Sequence, residues 1–201
     1  MNKPRGEVRP IFPAGAVVRY ENPTHQAIAL DGLEFFANAG SGSYSTSAER
    51  NVLLEPAFAA VAIFLRECVT DYLDNVYCYR YDRFDISAAW VNRTPAGGAQ
   101  RMHCHGNAIV SGVYYLQADA RQSSPLVFEK PELNSQPYIA IAAREQTLFT
   151  ANRVAYSAST GVAYLFPSQL RHGYDVPTQG EERISVAFNV LLAGVGLFYR
   201  M

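Results

Sequence analysis

The sequence has few residues that could form covalent cross-links, and it has almost no net charge. Only three cysteines, Cys68, Cys78 and Cys104, occur in 201 residues. Three is a small and odd number, so a disulfide framework is not expected. The formal net charge is −1 at pH 7, and the basic excess that phosphate binding requires is therefore missing. The lack of a basic excess argues against nucleic acid as a partner.

Long apolar runs are also absent from the sequence. No window of about 18 uncharged apolar residues occurs, so no membrane span is predicted. Residues 1–6 are polar and contain helix breakers, and they lack the apolar core of a signal peptide. Together with the low cysteine content, this pattern predicts a cytoplasmic protein in a reducing compartment.

The residues that are present predict one globular domain over residues 1–201, with its core at about residues 85–192. The hydrophobic fraction is 49% and the charged fraction is 17%, as is typical of a folded domain. One amphipathic helix is predicted at about residues 56–73, because apolar residues recur there at spacings of three and four. This stripe consists of Phe58, Val61, Ala62, Leu65, Cys68, Val69 and Tyr72. Cys68 is therefore expected to be a packing residue.

Short β-branched and aromatic runs, separated by turn residues, occupy most of the remaining chain. The predicted strands are residues 7–20, 77–81, 84–92, 113–116, 126–128, 139–142, 146–149, 163–166 and 184–192. So many short strands favour a barrel or a two-sheet sandwich. Residues 21–50 are predicted to be loop-like, and His25 within them is interpreted as a surface histidine.

The histidines are scarce and unevenly distributed. Two of the four, His103 and His105, are separated by one residue, and His172 lies far downstream. In an extended backbone, residues i and i+2 point to the same face, so these two imidazoles converge while Cys104 points away. Two close ligands and one distant ligand are typical of a metal site with open positions on a β-scaffold. The pattern is interpreted as a mononuclear iron site.

A second pair of polar residues follows the distant histidine. Arg183 and Ser185 share one face of the last predicted strand. A guanidinium can bind a carboxylate in a bidentate manner, and a nearby hydroxyl adds one more donor. The pair is therefore predicted to bind a carboxylate. The alternative is an ion pair of Arg183 with Glu181 or Glu182 at the end of the strand.

Several motifs in this order resemble those of the iron(II)- and 2-oxoglutarate-dependent dioxygenases. The motifs are Trp90-Val91-Asn92, His103-Cys104-His105, residues 111–116, residues 126–128, residues 165–168, His172 and Arg183-Ile184-Ser185. Their order is similar to that of a bacterial and phage subfamily without assigned substrates. The resemblance implies a mainly β, double-stranded β-helix fold (jelly-roll, cupin-like) with an N-terminal helix packed on it.

The same resemblance implies roles for individual residues. His103, His105 and His172 would ligate Fe(II), and Arg183 would hold the distal carboxylate of the cosubstrate 2-oxoglutarate with Ser185 beside it. The iron would retain open positions for the cosubstrate and for dioxygen. The implied reaction is hydroxylation of a small-molecule or peptidyl substrate, coupled to decarboxylation of 2-oxoglutarate to succinate.

Two further residues are implicated by the resemblance. Tyr115 matches a position where prolyl-hydroxylase-like relatives bind the cosubstrate carboxylate, and Tyr114 is expected to face the opposite side of the sheet. Asn92 matches a frequent cosubstrate or substrate contact, and its alternative role is a strand end. The lid over the site would be residues 38–47 or residues 94–101. The apolar residues 190–198 suggest a homodimer contact.

The chain departs from the family pattern at His105, where an aspartate or glutamate is usual. Either His105 replaces that acid as a ligand, or a carboxylate such as Glu129 or Asp175 binds the metal and His105 lies next to the ligands without binding the metal itself. Halogenase activity is disfavoured, because it needs a small residue at this position. Two other functions compete with the oxygenase: a cupin-like three-histidine enzyme that does not use 2-oxoglutarate, and a non-catalytic β-barrel binding protein.

Overall fold

The structure is a computed structural model that describes residues 15–38, 42–131, 142–147 and 149–194. Within these residues it contains eleven β-strands and one α-helix, α1 (Ala59–Asp71). The strands are β1 (Val18–Glu21), β2 (Phe35–Ala37), β3 (Ser45–Ser47), β4 (Arg83–Thr94), β5 (Gln100–His103), β6 (Val110–Gln117), β7 (Leu126–Glu129), β8 (Arg153–Tyr156), β9 (Val162–Pro167), β10 (His172–Tyr174) and β11 (Arg183–Ala193).

The strands form two sheets whose named strands pair antiparallel. The larger sheet has seven strands in the order β1-β9-β6-β11-β4-β3-β2. The smaller sheet has four strands in the order β5-β10-β7-β8. Long strands β4 and β11 lie side by side in the larger sheet, and their register pairs Ser185 with Asn92. This arrangement is the two-sheet organisation that the turn-separated short strands predict.

The predicted helix packs against one face of the larger sheet. It begins with a 3₁₀ turn (Pro56–Phe58), continues as α1 and ends in a π-helical turn (Tyr72–Val76). All members of the predicted apolar stripe except Ala62 are buried. They form one apolar cluster with sheet residues such as Tyr114 and Val186. Cys68 belongs to this cluster, as its position in the stripe predicts.

The other face of the larger sheet packs against the smaller sheet. A second apolar cluster lies between the two sheets and contains Tyr115 together with Leu126 and Phe128 of the smaller sheet. Because Tyr114 belongs to the cluster on the helix side, Tyr114 and Tyr115 face opposite sides of β6, as predicted. Gly112 on β6 lies opposite Phe188 on the neighbouring strand β11, and the ring of Phe188 covers it so closely that an added Cβ would lie 2.2 Å from the ring. On the helix side, Nδ1 of His25 lies 2.6 Å from the hydroxyl of Tyr114. His25 is therefore half-buried and bonded to the core, rather than a surface histidine.

Some predicted strands are wrong. Residues 77–81 are not a strand, because the π-helical turn leads into a tight reversal in which Cys78 has a φ of +50°. Stacked rings of Tyr72, Tyr77 and Tyr79, with centroids 5.1 and 5.0 Å apart, stabilise this segment instead of a sheet partner. The described residues of 146–149 form no strand, and Thr147 and Thr150 instead close a hydrogen-bonded turn.

Other predictions fall partly or wholly outside the described residues. These are the predicted strand at residues 139–142, of which only residue 142 is described, and the first part of the strand at residues 7–20. Its second part is β1. The loop-like region 21–50 contains two short strands, β2 and β3, that the sequence did not predict. None of the helices in the described residues is long and apolar enough to cross a membrane.

Candidate metal and cosubstrate site

The three histidines singled out by their spacing meet on the smaller sheet. His103 ends β5, and His172 begins β10 directly opposite it in the antiparallel register. Because cross-strand partners project to the same face, the two rings lie together, with centroids 4.5 Å apart. His105 follows β5, and its backbone N–H donates to the carbonyl of Ser168 at 2.9 Å. That bond brings the third ring to the same place.

The ring nitrogens converge closely enough to bind one ion. One nitrogen from each of His103, His105 and His172 lies within 4.8 Å of those from the other two. Among the described residues, no other group of three histidine, cysteine or acidic side chains converges in this way. Cys104 is exposed and does not belong to the group, in agreement with its predicted direction. The three residues could therefore hold a metal and leave coordination positions open.

Backbone carbonyls orient two of the three rings. Nδ1 of His103 lies 3.0 Å from the carbonyl oxygen of Arg101, and Nδ1 of His172 lies 2.7 Å from that of Leu170. A carbonyl only accepts, so each Nδ1 carries the proton and each Nε2 presents a lone pair. Metal-binding histidines commonly have their tautomer fixed in this way.

Burial keeps the imidazoles of His105 and His172 neutral, which is the form that binds metal. The pKa of His172 is lowered to about 3, mainly by desolvation; the Leu170 carbonyl opposes the shift, and the nearby His103 and His105 add to it. Desolvation and then the charge of His103 lower the pKa of His105 to about 4. Both rings are therefore deprotonated at neutral pH, so no proton has to be released when a cation binds to them.

The two acids considered as replacement ligands are engaged by arginines. Oε2 of Glu129 lies 2.8 Å from Nε of Arg171, and Oδ2 of Asp175 lies 2.6 Å from Nη2 of Arg153. Neither acid belongs to the convergent group. The geometry therefore favours His105 over Glu129 or Asp175 as the third donor.

Arg183 is the most unusual residue of the larger sheet, because it is buried without an acidic partner. Its exposed fraction is 1%, and Nε has no hydrogen-bond partner within the described residues. Nη1 donates to Oγ of Ser185 at 3.4 Å, and Nη2 donates to the hydroxyl of Tyr115 at 3.2 Å. The alternative ion pair is not formed in the described structure, because Glu182 pairs with Arg93 at 2.7 Å.

Two aromatic rings hold the guanidinium of Arg183. Its Cζ lies 4.0 Å from the ring centroid of Tyr174 and 4.8 Å from that of Tyr115. The hydroxyl of Tyr174 is hydrogen-bonded to Oγ1 of Thr94 at 2.9 Å. Desolvation raises the pKa of both tyrosines, although Arg183 opposes that shift, so they stay neutral. Sequence reasoning missed Tyr174, because the strand is irregular between His172 and Tyr174 and their two-residue spacing gives no reliable signal of a shared face.

One small pocket, with a cavity volume of about 40 Å³, joins the histidines to Arg183 between the two sheets. Its walls also include Ser185 and Asn92, whose Oδ1 accepts a hydrogen bond from Oγ1 of Thr46 at 2.9 Å. An open pocket of about 290 Å³ adjoins it and shares Trp90, Gln100, His103 and His105 as lining residues. We call these the inner pocket and the outer pocket.

Both candidate lid segments form the wall of the outer pocket. Residues 38–47 contribute Asn38, Tyr44 and Thr46, although residues 39–41 lie outside the described structure. Residues 94–101 contribute Gln100 and Arg101. The two segments are bonded to each other, since the N–H of Ser43 donates to the carbonyl of Ala99 at 2.9 Å. They therefore form one continuous wall rather than two alternative lids.

The inner pocket fits the groups that the sequence pattern suggests. Three imidazoles whose ring nitrogens converge suit a divalent transition metal. The partnerless Nε of buried Arg183 suits an anionic ligand, because an uncompensated buried charge is costly. Tyr115 does not line this pocket, but its buried hydroxyl accepts a hydrogen bond from Nη2 of Arg183 at 3.2 Å and so helps to position the guanidinium.

Comparisons with known proteins agree with this geometry. A family model described as "Putative 2OG-Fe(II) oxygenase" matches residues 88–189, just over half of the chain. A search of curated protein sequences found no relative. Similar solved structures include a prolyl-4-hydroxylase from Pseudomonas putida, at 14% identity and a TM-score of 0.53 over 80% of this chain and 78% of that one.

Two other similar structures have the same fold. A 2OG-Fe(II) oxygenase family oxidoreductase from Burkholderia pseudomallei has 14% identity and a TM-score of 0.53, over 79% of this chain and 72% of that one. HygX from Streptomyces hygroscopicus, crystallised with nickel, 2-oxoglutarate and hygromycin B, has 13% identity and a TM-score of 0.52, over 81% and 74%. The predicted jelly-roll fold is thereby confirmed. The chain belongs to the 2OG-Fe(II) oxygenase family.

Proposed function

We propose that this chain hydroxylates a small-molecule or peptidyl substrate, using Fe(II) held by His103, His105 and His172 and 2-oxoglutarate held by Arg183. Family membership supports the reaction type, and the convergent histidines support the metal site. The cupin-like alternative without 2-oxoglutarate leaves Arg183 unexplained. The non-catalytic binding protein leaves both the family match and the open metal site unexplained.

One observation carries the cosubstrate assignment. Arg183 is a buried cation in the same pocket as the three histidines, and no acid of the described residues pairs with it. A buried arginine without a counter-ion is several kcal/mol less stable than a paired one, on the order of 3–5 kcal/mol. A dicarboxylate that reaches from the metal to Arg183 supplies that counter-ion. 2-Oxoglutarate, with an oxo acid at one end and a carboxylate at the other, has this form.

The protein residues then have distinct tasks. Arg183 binds the distal carboxylate through its free Nε–H and a terminal N–H, while Ser185 and Tyr115 fix the guanidinium and offer hydroxyl donors. The apolar walls of the inner pocket, such as Leu126 and Phe166, exclude water from the site. The bound iron supplies the redox chemistry that activates dioxygen toward a C–H bond. Asn92 is proposed to contact cosubstrate or substrate from the pocket wall.

The test is an anaerobic titration of the Fe(II)-loaded protein with 2-oxoglutarate, followed by the weak visible charge-transfer band of the chelate. The wild type and an Arg83→Met control, altered at the far end of β4, should both develop the band. Arg183→Met should raise the Kd for 2-oxoglutarate by at least about 30-fold, since losing one partner of a buried charge pair costs 2 kcal/mol or more. If iron binds and the wild type develops no band, the cosubstrate assignment is wrong and the cupin-like enzyme becomes the better proposal.

A further inference from the structure

The outer pocket carries two cationic side chains and no acidic one. Its lining residues are Asn38, Tyr44, Thr46, Arg50, Trp90, Gln100, Arg101, His103 and His105. The inner pocket likewise has no aspartate or glutamate among its lining residues and contains Arg183. The whole space around the three histidines is therefore lined by neutral and positively charged groups.

Arg50 and Arg101 have no carboxylate partner in the described structure. Several other exposed arginines do pair: Arg19 with Glu21, Arg83 with Asp85, and Arg153 and Arg171 with Glu129. Arg50 lies over the ring of Trp90, with its Cζ 5.9 Å from the centroid. The backbone carbonyl of Arg101 orients His103, whereas its guanidinium forms no hydrogen bond or ion pair with the described residues and is available to a ligand.

The net charge expected around the metal site also favours an anionic ligand. In the usual family pattern an acidic ligand offsets part of the charge of the ferrous ion, and here a histidine, His105, converges with His103 and His172 in its place. Fe(II) and Arg183 together carry three positive charges, against two negative charges on 2-oxoglutarate. The loaded site therefore retains a positive charge beside Arg50 and Arg101, and a positive cleft attracts an anionic substrate.

We propose that the outer pocket binds the carboxylate of a small organic acid, which is the substrate. Arg50 and Arg101 bind the carboxylate, and the rings of Trp90 and Tyr44 contact its apolar part. The wall shared with His103 and His105 then brings a C–H bond of the same molecule to the metal site. The outer pocket has a cavity volume of about 290 Å³, which is close to the lower end of the range for small-molecule sites. The oxidation step rests on the proposed function, whereas the anion site does not.

Trp90 provides a direct signal for this binding. It is the only tryptophan of the chain and lines both pockets, so its fluorescence excited at 295 nm reports on the site alone. The probe is 3-phenylpropionate, and 3-phenylpropionamide is its neutral match. The protein is loaded anaerobically with Fe(II) and saturating 2-oxoglutarate, so that Arg183 is already occupied. We expect the acid to change the fluorescence saturably and the amide to bind at least about tenfold more weakly.

Charge-removing variants locate the site. Arg50→Gln and Arg101→Gln should each raise the Kd of 3-phenylpropionate about tenfold, as expected for loss of one charge-assisted hydrogen bond. Arg80→Gln is the matched control, because Arg80 is exposed and lines neither pocket. Since Arg50 lies over Trp90, the comparison uses the Kd and not the signal amplitude.

Three results would overturn the inference: equal binding of acid and amide, an equal loss in Arg80→Gln, or an unchanged Kd in both pocket variants. Competition between 3-phenylpropionate and 2-oxoglutarate would also overturn it, because the acid would then occupy the site of Arg183. The charge-transfer titration with 2-oxoglutarate is run on the same samples. Acid binding that depends on Arg50 and Arg101, without any 2-oxoglutarate band, would support the anion site while refuting the proposed function.

Discussion

Replacing Tyr174 should separate the role of its ring from the role of its hydroxyl. The ring lies 4.0 Å from Cζ of Arg183 in a buried site, where a cation–π contact contributes about 2 kcal/mol. Without the ring, the guanidinium regains part of the roughly 2 kcal/mol of side-chain entropy that an arginine carries. Tyr174→Leu should therefore weaken 2-oxoglutarate binding by about 1–2 kcal/mol, a rise in Kd of roughly 5- to 30-fold.

Tyr174→Phe is the matched control, because it keeps the ring and removes only the hydroxyl bonded to Thr94. That single hydrogen bond contributes about 1 kcal/mol to the free energy of unfolding, and its loss should change the Kd for 2-oxoglutarate only slightly. Both variants are titrated anaerobically with 2-oxoglutarate at a temperature where metal content and circular dichroism show them fully folded. If Tyr174→Phe and Tyr174→Leu weakened 2-oxoglutarate binding equally, the reasoning would be refuted, since the hydroxyl and not the ring would then position Arg183.

Three further predictions concern the metal, the sheet and the thiols. His172→Ala should abolish stoichiometric iron binding, measured by elemental analysis, while His25→Ala should retain it because that ring bonds to the core. Gly112→Ala should lower the free energy of unfolding by about 1–3 kcal/mol, seen as a lower Tm, because its Cβ would meet Phe188; an unchanged Tm would contradict the packing. Burial raises the pKa of Cys68 to about 12, so native protein should show two rapidly reacting thiols with Ellman's reagent and a third only after unfolding.

The sequence predicts much of this fold because its long elements have clear periodicity. The apolar stripe of α1 and the alternation in β11 are strong local signals, and both elements occur where they are expected. The tyrosines at 77, 79 and 81 also alternate, yet they follow a π-helical turn, the rings of Tyr77 and Tyr79 contact each other at a tilt, and no neighbouring strand pairs with the segment. Alternation shows that a segment can be extended, whereas strand formation also requires a partner. The three-residue strand β10 gives too short a pattern to detect.

The candidate site was predictable wherever short spacing determined geometry. The i and i+2 positions bring His103 and His105 together, and the same rule places Arg183 beside Ser185. The ring of Tyr174 over Arg183 could not be inferred, because it depends on how β10 of one sheet faces β11 of the other. The convergence of Arg50 and Arg101 in the outer pocket could not be inferred for the same reason. Arg50 precedes β4 by more than thirty residues, and neither side chain belongs to a motif.

The two sheets divide the tasks of the site between them. All three histidines belong to the smaller sheet or the segment directly after β5, whereas Arg183, Ser185, Tyr115 and Asn92 belong to the larger sheet. Substitution of Arg183 should therefore weaken cosubstrate binding and leave metal content intact, whereas substitution of a histidine should lower metal content and, because the oxo acid would bind at the metal, cosubstrate affinity as well. Tyr174 is the exception, because it lies on the strand of His172 and contacts the guanidinium of the opposite sheet. Its contact with Arg183 joins the two parts of the proposed site, and a dicarboxylate that binds both the metal and Arg183 would have to match the distance between them.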